Sequence, residues 1–352
     1  MKKARIGLIG VGGVCRGVHI EQLTSIKEAE IVAICDIDDT ALVEVGDMLN
    51  IPKERRYKDY KDLLACDDID GVEICTSNDM HCIIAAEAVK QNIPFNLEKP
   101  IDVDYKSAKI LEEALKKNPV KNMMCFSYRF FPAVRYAKKI MEDNLLGNII
   151  NVDIKYNKDS AFWEGRPFSW RFSKEKAGTG VLGDLGVHLA DLATFLLGDD
   201  IVSVCGKIAT IVKERPCPDT GKMLPVETDD ISMFMAETKN GTPIMFNISR
   251  CAYGYDNDIC FRIYGDKGTI AFDANNPDEL EVCVGEIDIR TKGRHTIKVP
   301  GNYALKQEQN FVDMILGKDN KYHPTAEDGF KIQKVLDAVL ESSIKKCWIN
   351  IE

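Results

Sequence analysis

Two short strings in this chain carry side chains able to move protons. Glu98-Lys99-Pro100 sets an acid beside a base at the end of the apolar run Pro94 to Leu97, and Asp184-x-x-x-His188 sets an acid four residues before one of only five histidines. An imidazole, with an ordinary pKa of about 6.5, accepts and returns a proton near neutrality. A lysine in a water-poor crevice stabilises a developing alkoxide, and a depressed pKa lets it share the proton. On a helix the i, i+4 spacing of Asp184 and His188 puts both on one face, within reach of a shared ligand. A single buried histidine is more often structural, but an acid partner after the glycine-rich turn Gly178 to Gly186 favours a chemical role here.

These groups need elements to hold them. The chain begins with the apolar run Arg5 to Ile9, followed by Gly10, Gly12 and Gly13, then by residues through Leu23 that fit a helix. In a dinucleotide-binding βαβ unit the first glycine permits the turn, the second lets backbone approach the pyrophosphate, and the helix N-terminus supplies N–H donors. Gly10, Gly12, Gly13 and Val14 suit these roles, while Cys15 stands where a third glycine is usual and only a small side chain is needed. A second apolar run, Glu30 to Cys35, ends in Asp36, 24 residues after Gly12 and near the spacing of a ribose-binding carboxylate. Ile37-Asp38-Asp39 offers no cation for a 2′-phosphate, so NAD is expected over NADP. The alternative for Asp36 is an N-cap of the next helix.

Composition narrows the partners. A chain of 352 residues exceeds the usual single core and predicts two domains. A net charge of -9 with no basic patch argues against nucleic acid and anionic membrane, leaving a small molecule. Twelve cysteines lie scattered without a C-x-x-C or a Cys/His cluster, which predicts reduced thiols, a cytoplasmic location and no metal site. No stretch approaches the roughly 18 apolar residues of a membrane span.

The element pattern is α/β. Helices are expected over Thr40 to Leu49, Met80 to Lys90 and Tyr105 to Lys117, and strands over Val72 to Thr76, Pro94 to Leu97 and Lys121 to Ser127. This is an N-terminal Rossmann domain, a doubly wound parallel sheet over residues 1–123. Residues 124–352 then form an α+β domain on a largely antiparallel open sheet. Its signals are a helix at Ala133 to Glu142, strands at Asn148 to Tyr156, Ile259 to Tyr264, Thr269 to Asp273 and Glu279 to Val284, and period-two alternation around Met233 and Phe246. Asn240-Gly241 reads as a type I′ hairpin turn, and helices at Leu305 to Leu316 and Ala326 to Ile344 close the chain. The alternating Met, Phe and Ile faces exceed what these helices cover, so a homo-oligomer is expected, with one sheet face packed on another subunit.

Taken together, Gly10-x-Gly12-Gly13 with His19, Asp36, Thr76-x-Asn78-x-x-His81, Glu98-Lys99-Pro100, Tyr128-Arg129-Phe130, Trp170-Arg171-Phe172, Gly183-Asp184-x-Gly186-x-His188 and Glu327-Asp328-Gly329 resemble the glucose-fructose oxidoreductase/inositol dehydrogenase family (Gfo/Idh/MocA type), end to end. The resemblance implies NAD(P)-dependent oxidation or reduction of a ring hydroxyl or ketone on a sugar, cyclitol or derivative. It makes Lys99 and His188 the proton-transfer pair with Asp184 as a third polar group, and Glu98 the residue near the nicotinamide ribose. It also implies that Pro100 carries a cis peptide.

The resemblance further sets Thr76, Asn78, His81, Arg129, Trp170 and Arg171 against cofactor or substrate. As side chains, His19 and His81 read as helix packing rather than as acids or bases, helix capping is the alternative for Thr76 and Asn78, and domain packing is the alternative for Arg129 and the aromatic segment Phe162 to Arg171. Two departures from the family pattern, Thr179 for a glycine and Ser77 for a proline, remove no proton-transfer group. Residues 157–176 and 213–227 are expected to decide the substrate. Besides a dehydrogenase of a polyhydroxylated ring, two readings stay open: a glycoside hydrolase or lyase holding NAD tightly and oxidising transiently, and a non-catalytic NAD-sensing module.

Overall fold

Apolar β-branched runs alternating with amphipathic helices build the first half of the molecule. In the computed structural model, which describes residues 3–163, 165–318 and 322–352, the first six strands are β1 (Ala4–Ile9), β2 (Ala29–Cys35), β3 (Arg56–Tyr57), β4 (Gly71–Ile74), β5 (Phe95–Leu97) and β6 (Asn122–Met124). All pair in parallel, in the order β3-β2-β1-β4-β5-β6. The order reverses between β1 and β4, and ligands of open α/β sheets bind beyond the strand ends at that switch. Ile6, Leu8, Val72, Ile74, Phe95 and Leu97 have no exposed surface, as strands covered on both faces require.

Local rules place most helices within a residue or two. Tyr105–Lys117 falls on its expected bounds, opened by Asp104, which accepts from the Ser107 N–H at 2.7 Å. Asp39–Met48 is capped by Asp38, which accepts from Thr40 N–H, so the cap of this helix is not Asp36. The helix after the glycines departs from expectation. It begins as a π-helix, Cys15–Ile20, and becomes α-helical only over Glu21–Thr24. Side chains at Gly13 and Gly17 would meet nothing within 4 Å.

The expected single boundary at 123/124 is corrected. One compact unit is Met1–Cys125 with Lys306–Phe330, and the other is Phe126–Leu305 with Lys331–Glu352. The reason is local: Phe311 and Ile315 of the helix Gln307–Ile315 lie over Gly71 at the start of β4, where a Cβ would sit 3.1 and 2.6 Å from them. Met124 N–H donates to Pro324 O at 3.0 Å and Ala326 N–H to Asn122 Oδ1 at 2.8 Å, stitching the return segment to β6.

The second unit is built on strands β7 (Ile149–Asn157), β8 (Ile201–Ala209), β9 (Glu214–Pro216), β10 (Met223–Pro225), β11 (Ile231–Thr238), β12 (Pro243–Ser249), β13 (Asp258–Gly265), β14 (Gly268–Asp273), β15 (Glu279–Val284), β16 (His295–Lys298) and β17 (Ile349–Asn350). Nine of them form one sheet, β16-β15-β14-β13-β7-β12-β11-β8-β17, antiparallel except for the β7·β12 pair, and β9 and β10 pair separately. Period-two alternation sorts its faces. Phe234 and Phe246 stack inside at 4.2 Å, whereas Met233, Met235 and Met245 stay exposed on the other face. The Asn240-Gly241 turn differs from the expected type I′: of the two, only Gly241 has positive φ, and Thr238 N–H bonds Thr242 O across a three-residue loop. That is the type I turn plus left-handed glycine of a bulged hairpin. Contrary to expectation, the run Lys174–Leu197 is long and apolar enough to cross a membrane by length and composition; 83% of its most apolar window is buried within the protein, so it serves as a core element.

Candidate active site

In the first unit, the glycine turn shapes the ends of β1 and β4. Gly10 sits at φ +86°, and a Cβ there would stand 2.7 Å from the Cys75 carbonyl, so both conformation and contact demand glycine. Gly12, Gly13 and Val14 are exposed, with open space where Gly12 and Gly13 lack side chains. Asp36 is held by both oxygens: Val11 N–H donates to Oδ2 at 2.8 Å and Asp38 N–H to Oδ1 at 2.9 Å. Each oxygen keeps a further lone pair for a hydroxyl donor. Lys58, unmarked in the sequence, reaches over from beyond β3 to donate to Ile37 O at 2.6 Å and pairs with Asp39 at 2.7 Å.

Beyond β4, Thr76 is half-buried and Asn78 is buried at the start of a 3-10 turn, Asn78–Met80. His81 is fully buried with its ring between Pro100 O at 2.7 Å and Thr76 O at 3.3 Å. Burial pushes its pKa down, and a neutral ring has one N–H to give, which the shorter contact assigns to Pro100 O. The Lys99–Pro100 bond is cis. Lys99 is half-buried, and its N–H donates to Glu98 Oε2 at 3.1 Å. The other Glu98 oxygen contacts His19 Nε2 at 2.9 Å. Burial alone would raise the Glu98 carboxyl, but the hydrogen bond and charge of His19, then Lys99 and His81, pull it down to about 2.

In the second unit, Asp184 lies in a five-residue π-helix, Leu182–Gly186, that continues into the α-helix Val187–Leu197 bearing His188. The turn before it is fixed by Asp229, whose oxygens accept Gly180 N–H at 2.6 Å and Leu182 N–H at 2.9 Å. Asp184 is exposed and His188 is buried, its ring edge-to-face with Tyr128 at 4.6 Å. The Tyr128 and Tyr156 hydroxyls meet at 2.8 Å, and Tyr156 donates on to Asn257 Oδ1 at 2.8 Å.

Three other expected positions divide. Arg129 is 6% exposed, and its Nε contacts both Asp191 oxygens, at 2.8 and 3.1 Å. That is the geometry of a buried structural pair rather than of an open binding surface. Trp170 and Arg171 are half-buried in a 3-10 turn, the guanidinium 4.5 Å from the indole centroid. Glu164 lies outside the described residues. Its neighbour Arg166 stacks against both Trp163 and Phe172, at 5.4 and 5.1 Å, and donates to Ser160 O. Burial, then the charges of Arg250 and Arg215, push Arg166 down to about 10.

Residues 4–126 match an oxidoreductase family with an NAD-binding Rossmann fold, and residues 134–271 match the GFO/IDH/MocA C-terminal domain. A crystal structure of an oxidoreductase domain protein from Kribbella flavida superposes with TM-score 0.91 at 30% identity, covering 100% of both chains. The chain belongs to the Gfo/Idh/MocA oxidoreductase family. Among its relatives, levoglucosan dehydrogenase of Pseudarthrobacter phenanthrenivorans is 29% identical, covering 85% of this chain and 84% of its own. A levoglucosan dehydrogenase solved in complex with NADH has TM-score 0.90 at 26% identity, covering 100% of both chains.

Within this Gfo/Idh/MocA chain, residue-by-residue reading missed Asp229, Glu73 and Glu308. Asp229 had a weak signal, an Asp-Asp pair entering a strand; Glu73 had none, since an acid inside an apolar strand reads as an edge position. Glu308 sits in a helix remote in sequence from every motif.

Proposed function

We propose that this Gfo/Idh/MocA oxidoreductase is an NAD-dependent dehydrogenase of a ring hydroxyl on a sugar, cyclitol or sugar derivative. The observation that carries the reading is the first unit's glycine turn. Gly10 is forced, Gly12 and Gly13 leave room for a pyrophosphate at a helix start, and Asp36 is braced with lone pairs to spare for ribose hydroxyls. These residues fit NAD. When bound, the cofactor supplies the hydride acceptor of the oxidation.

His188 removes the hydroxyl proton, Lys99 stabilises the developing alkoxide, and Asp184 orients the substrate or its neighbours. Glu98 accepts from the nicotinamide ribose, and Thr76, Asn78, Trp170 and Arg171 line the site, whereas His81 serves it by bracing the Pro100 backbone. NAD is favoured over NADP because the Asp36 carboxylate, held by the Val11 and Asp38 N–H groups, repels a 2′-phosphate. The exposed methionines of the large sheet support a homo-oligomer, and twelve free thiols support a reducing, cytoplasmic setting.

The test is NADH formation, read by its absorbance, across cyclitols, aldoses, glycosides and nucleotide sugars, run beside an assay for released aglycone. Sustained NADH with one of them is the expected result. Aglycone release without NADH would overturn it in favour of transient oxidation by a retained cofactor.

A further inference from the structure

His19, a side chain with no role in the reading above, is wholly buried in the first unit and faces three carboxyl groups. Its Nδ1 lies 2.8 Å from Glu308 Oε1 and 3.7 Å from Glu73 Oε2, and its Nε2 lies 2.9 Å from Glu98 Oε1. The three acids come from the helix Gln307–Ile315, from β4 and from the end of β5. A neutral imidazole carries one N–H and one lone pair, so with a carboxylate on each nitrogen one contact would set lone pair against lone pair. A doubly protonated ring donates to both.

We propose that Glu308 and His19 are positioning residues: a continuous line from Glu308 Oε1 through the His19 ring to Glu98 Oε1, and from Glu98 Oε2 to the Lys99 N–H, aims the Glu98 carboxylate and fixes the backbone that carries Lys99. The inference rests on the proposal that Glu98 meets the nicotinamide ribose. It deepens that proposal by giving the return segment 306–330 a part in the site.

The electrostatics agree with the geometry. Burial alone would lower the His19 pKa, but the Glu308 charge and hydrogen bond, with Glu98 and Glu73, raise it well above the ordinary value. Glu73 is pushed up by burial and by the Glu308 charge, its Oε1 accepting from Asn96 Nδ2 at 3.2 Å. Glu308 is opposed by burial but held down by His19, and it also accepts from Gln307 Nε2 at 3.0 Å. Lys99, His81 and the Cys125 thiol also face Glu98. His19, Glu73 and Cys125 bring potential metal ligands within 4.8 Å of one another, yet both His19 nitrogens are already committed to carboxylates.

Two measurements test this. In the intact protein with nitrogen-labelled histidine, NMR of the ring nitrogens should show one histidine still doubly protonated at pH values where an ordinary imidazole is neutral. Glu308→Gln should bring its titration down. NAD affinity should fall about tenfold or more in Glu98→Gln and comparably in Glu308→Gln, with the double variant no worse than the weaker single one, as for one charge-assisted line.

If all five histidines lose a ring proton in the range of an ordinary imidazole, the relay is refuted without any variant. If Glu98→Gln weakens NAD but Glu308→Gln does not, or their effects simply add, the relay falls while the site assignment stands. If Glu98→Gln leaves NAD binding unchanged while the His19 titration is as expected, the placement of Glu98 at the cofactor is what fails, and the positioning role fails with it.

Discussion

Replacing Arg129 by methionine separates the role suggested by its motif from the role its surroundings support. The side chains of Arg129 and Asp191 are 7% and 1% exposed, and the guanidinium also lies 4.9 Å from the Phe195 ring. Arg129→Met keeps much of the packing volume but strands a buried carboxylate, a change that costs about 3–5 kcal/mol. Against a total stability of about 5–15 kcal/mol this is a large fraction. At about 2–4 °C per kcal/mol for a domain of this size, the midpoint should fall by about 6 °C or more. Adding Asp191→Leu should recover most of the loss, because the pair is then replaced by apolar groups rather than broken. Thermal unfolding of the two single variants and the double gives the cycle, and NAD titration of Arg129→Met, expected to be unchanged, runs beside it. An unshifted midpoint with NAD binding weakened about tenfold, the size of a lost charged hydrogen bond, would refute the structural reading and return Arg129 to the cofactor.

Other outcomes follow from the same geometry. His188→Asn should cut turnover by about a hundredfold or more with NAD affinity intact; unchanged turnover retires His188 as the base. Asp36→Ser should move the ratio of kcat/KM values from NAD toward NADP, and an unmoved ratio takes the carboxylate away from the ribose. Burial raises Asp102 to about 6, above the value of about 3.9 in an unfolded chain, so the native state binds the proton more tightly and stability is lost as pH climbs through that window. Asp102→Asn should therefore stabilise the protein by about 1 kcal/mol more at pH 7.5 than at pH 5, read from midpoints at the two values; an equal effect at both contradicts the shift. Met233→Glu with Met245→Glu should leave only a 39.4 kDa species in light scattering if the exposed sheet face is the subunit interface, and an undiminished assembly would place the interface elsewhere.

Much of the architecture was legible because it is set by local pattern. Tyr105–Lys117 and Glu279–Val284 fall where periodicity put them, and the glycine turn and the Asp36 strand end occupy their expected places in a parallel sheet. What escaped depends on the third dimension. The π turns at Cys15–Ile20 and Leu182–Gly186 keep an apolar pattern compatible with an α-helix and reveal themselves only in backbone bonding. The Asn240-Gly241 dipeptide signals a hairpin correctly but does not choose between a two-residue and a three-residue loop. His19 was read as packing, and it is buried; its three acidic neighbours come from positions 73, 98 and 308, a grouping no local window contains. The residue-level positions of Arg129 and His81 were equally out of reach, since a motif says that a side chain is used and not which way it faces.

The discontinuity of the first unit bears on the order in which the protein is made. When the ribosome has finished β6, the strands of the nucleotide sheet all exist, but Phe311 does not yet cover Gly71 and Glu308 does not yet face His19. The whole of Phe126–Leu305 must be synthesised first, which at about 5–20 residues per second takes roughly 10–40 s. During that interval the nascent sheet presents an uncovered apolar patch and a buried-charge cluster without its last member, a state that invites chaperone binding. A fragment ending at Cys125 would be held in that same unfinished condition.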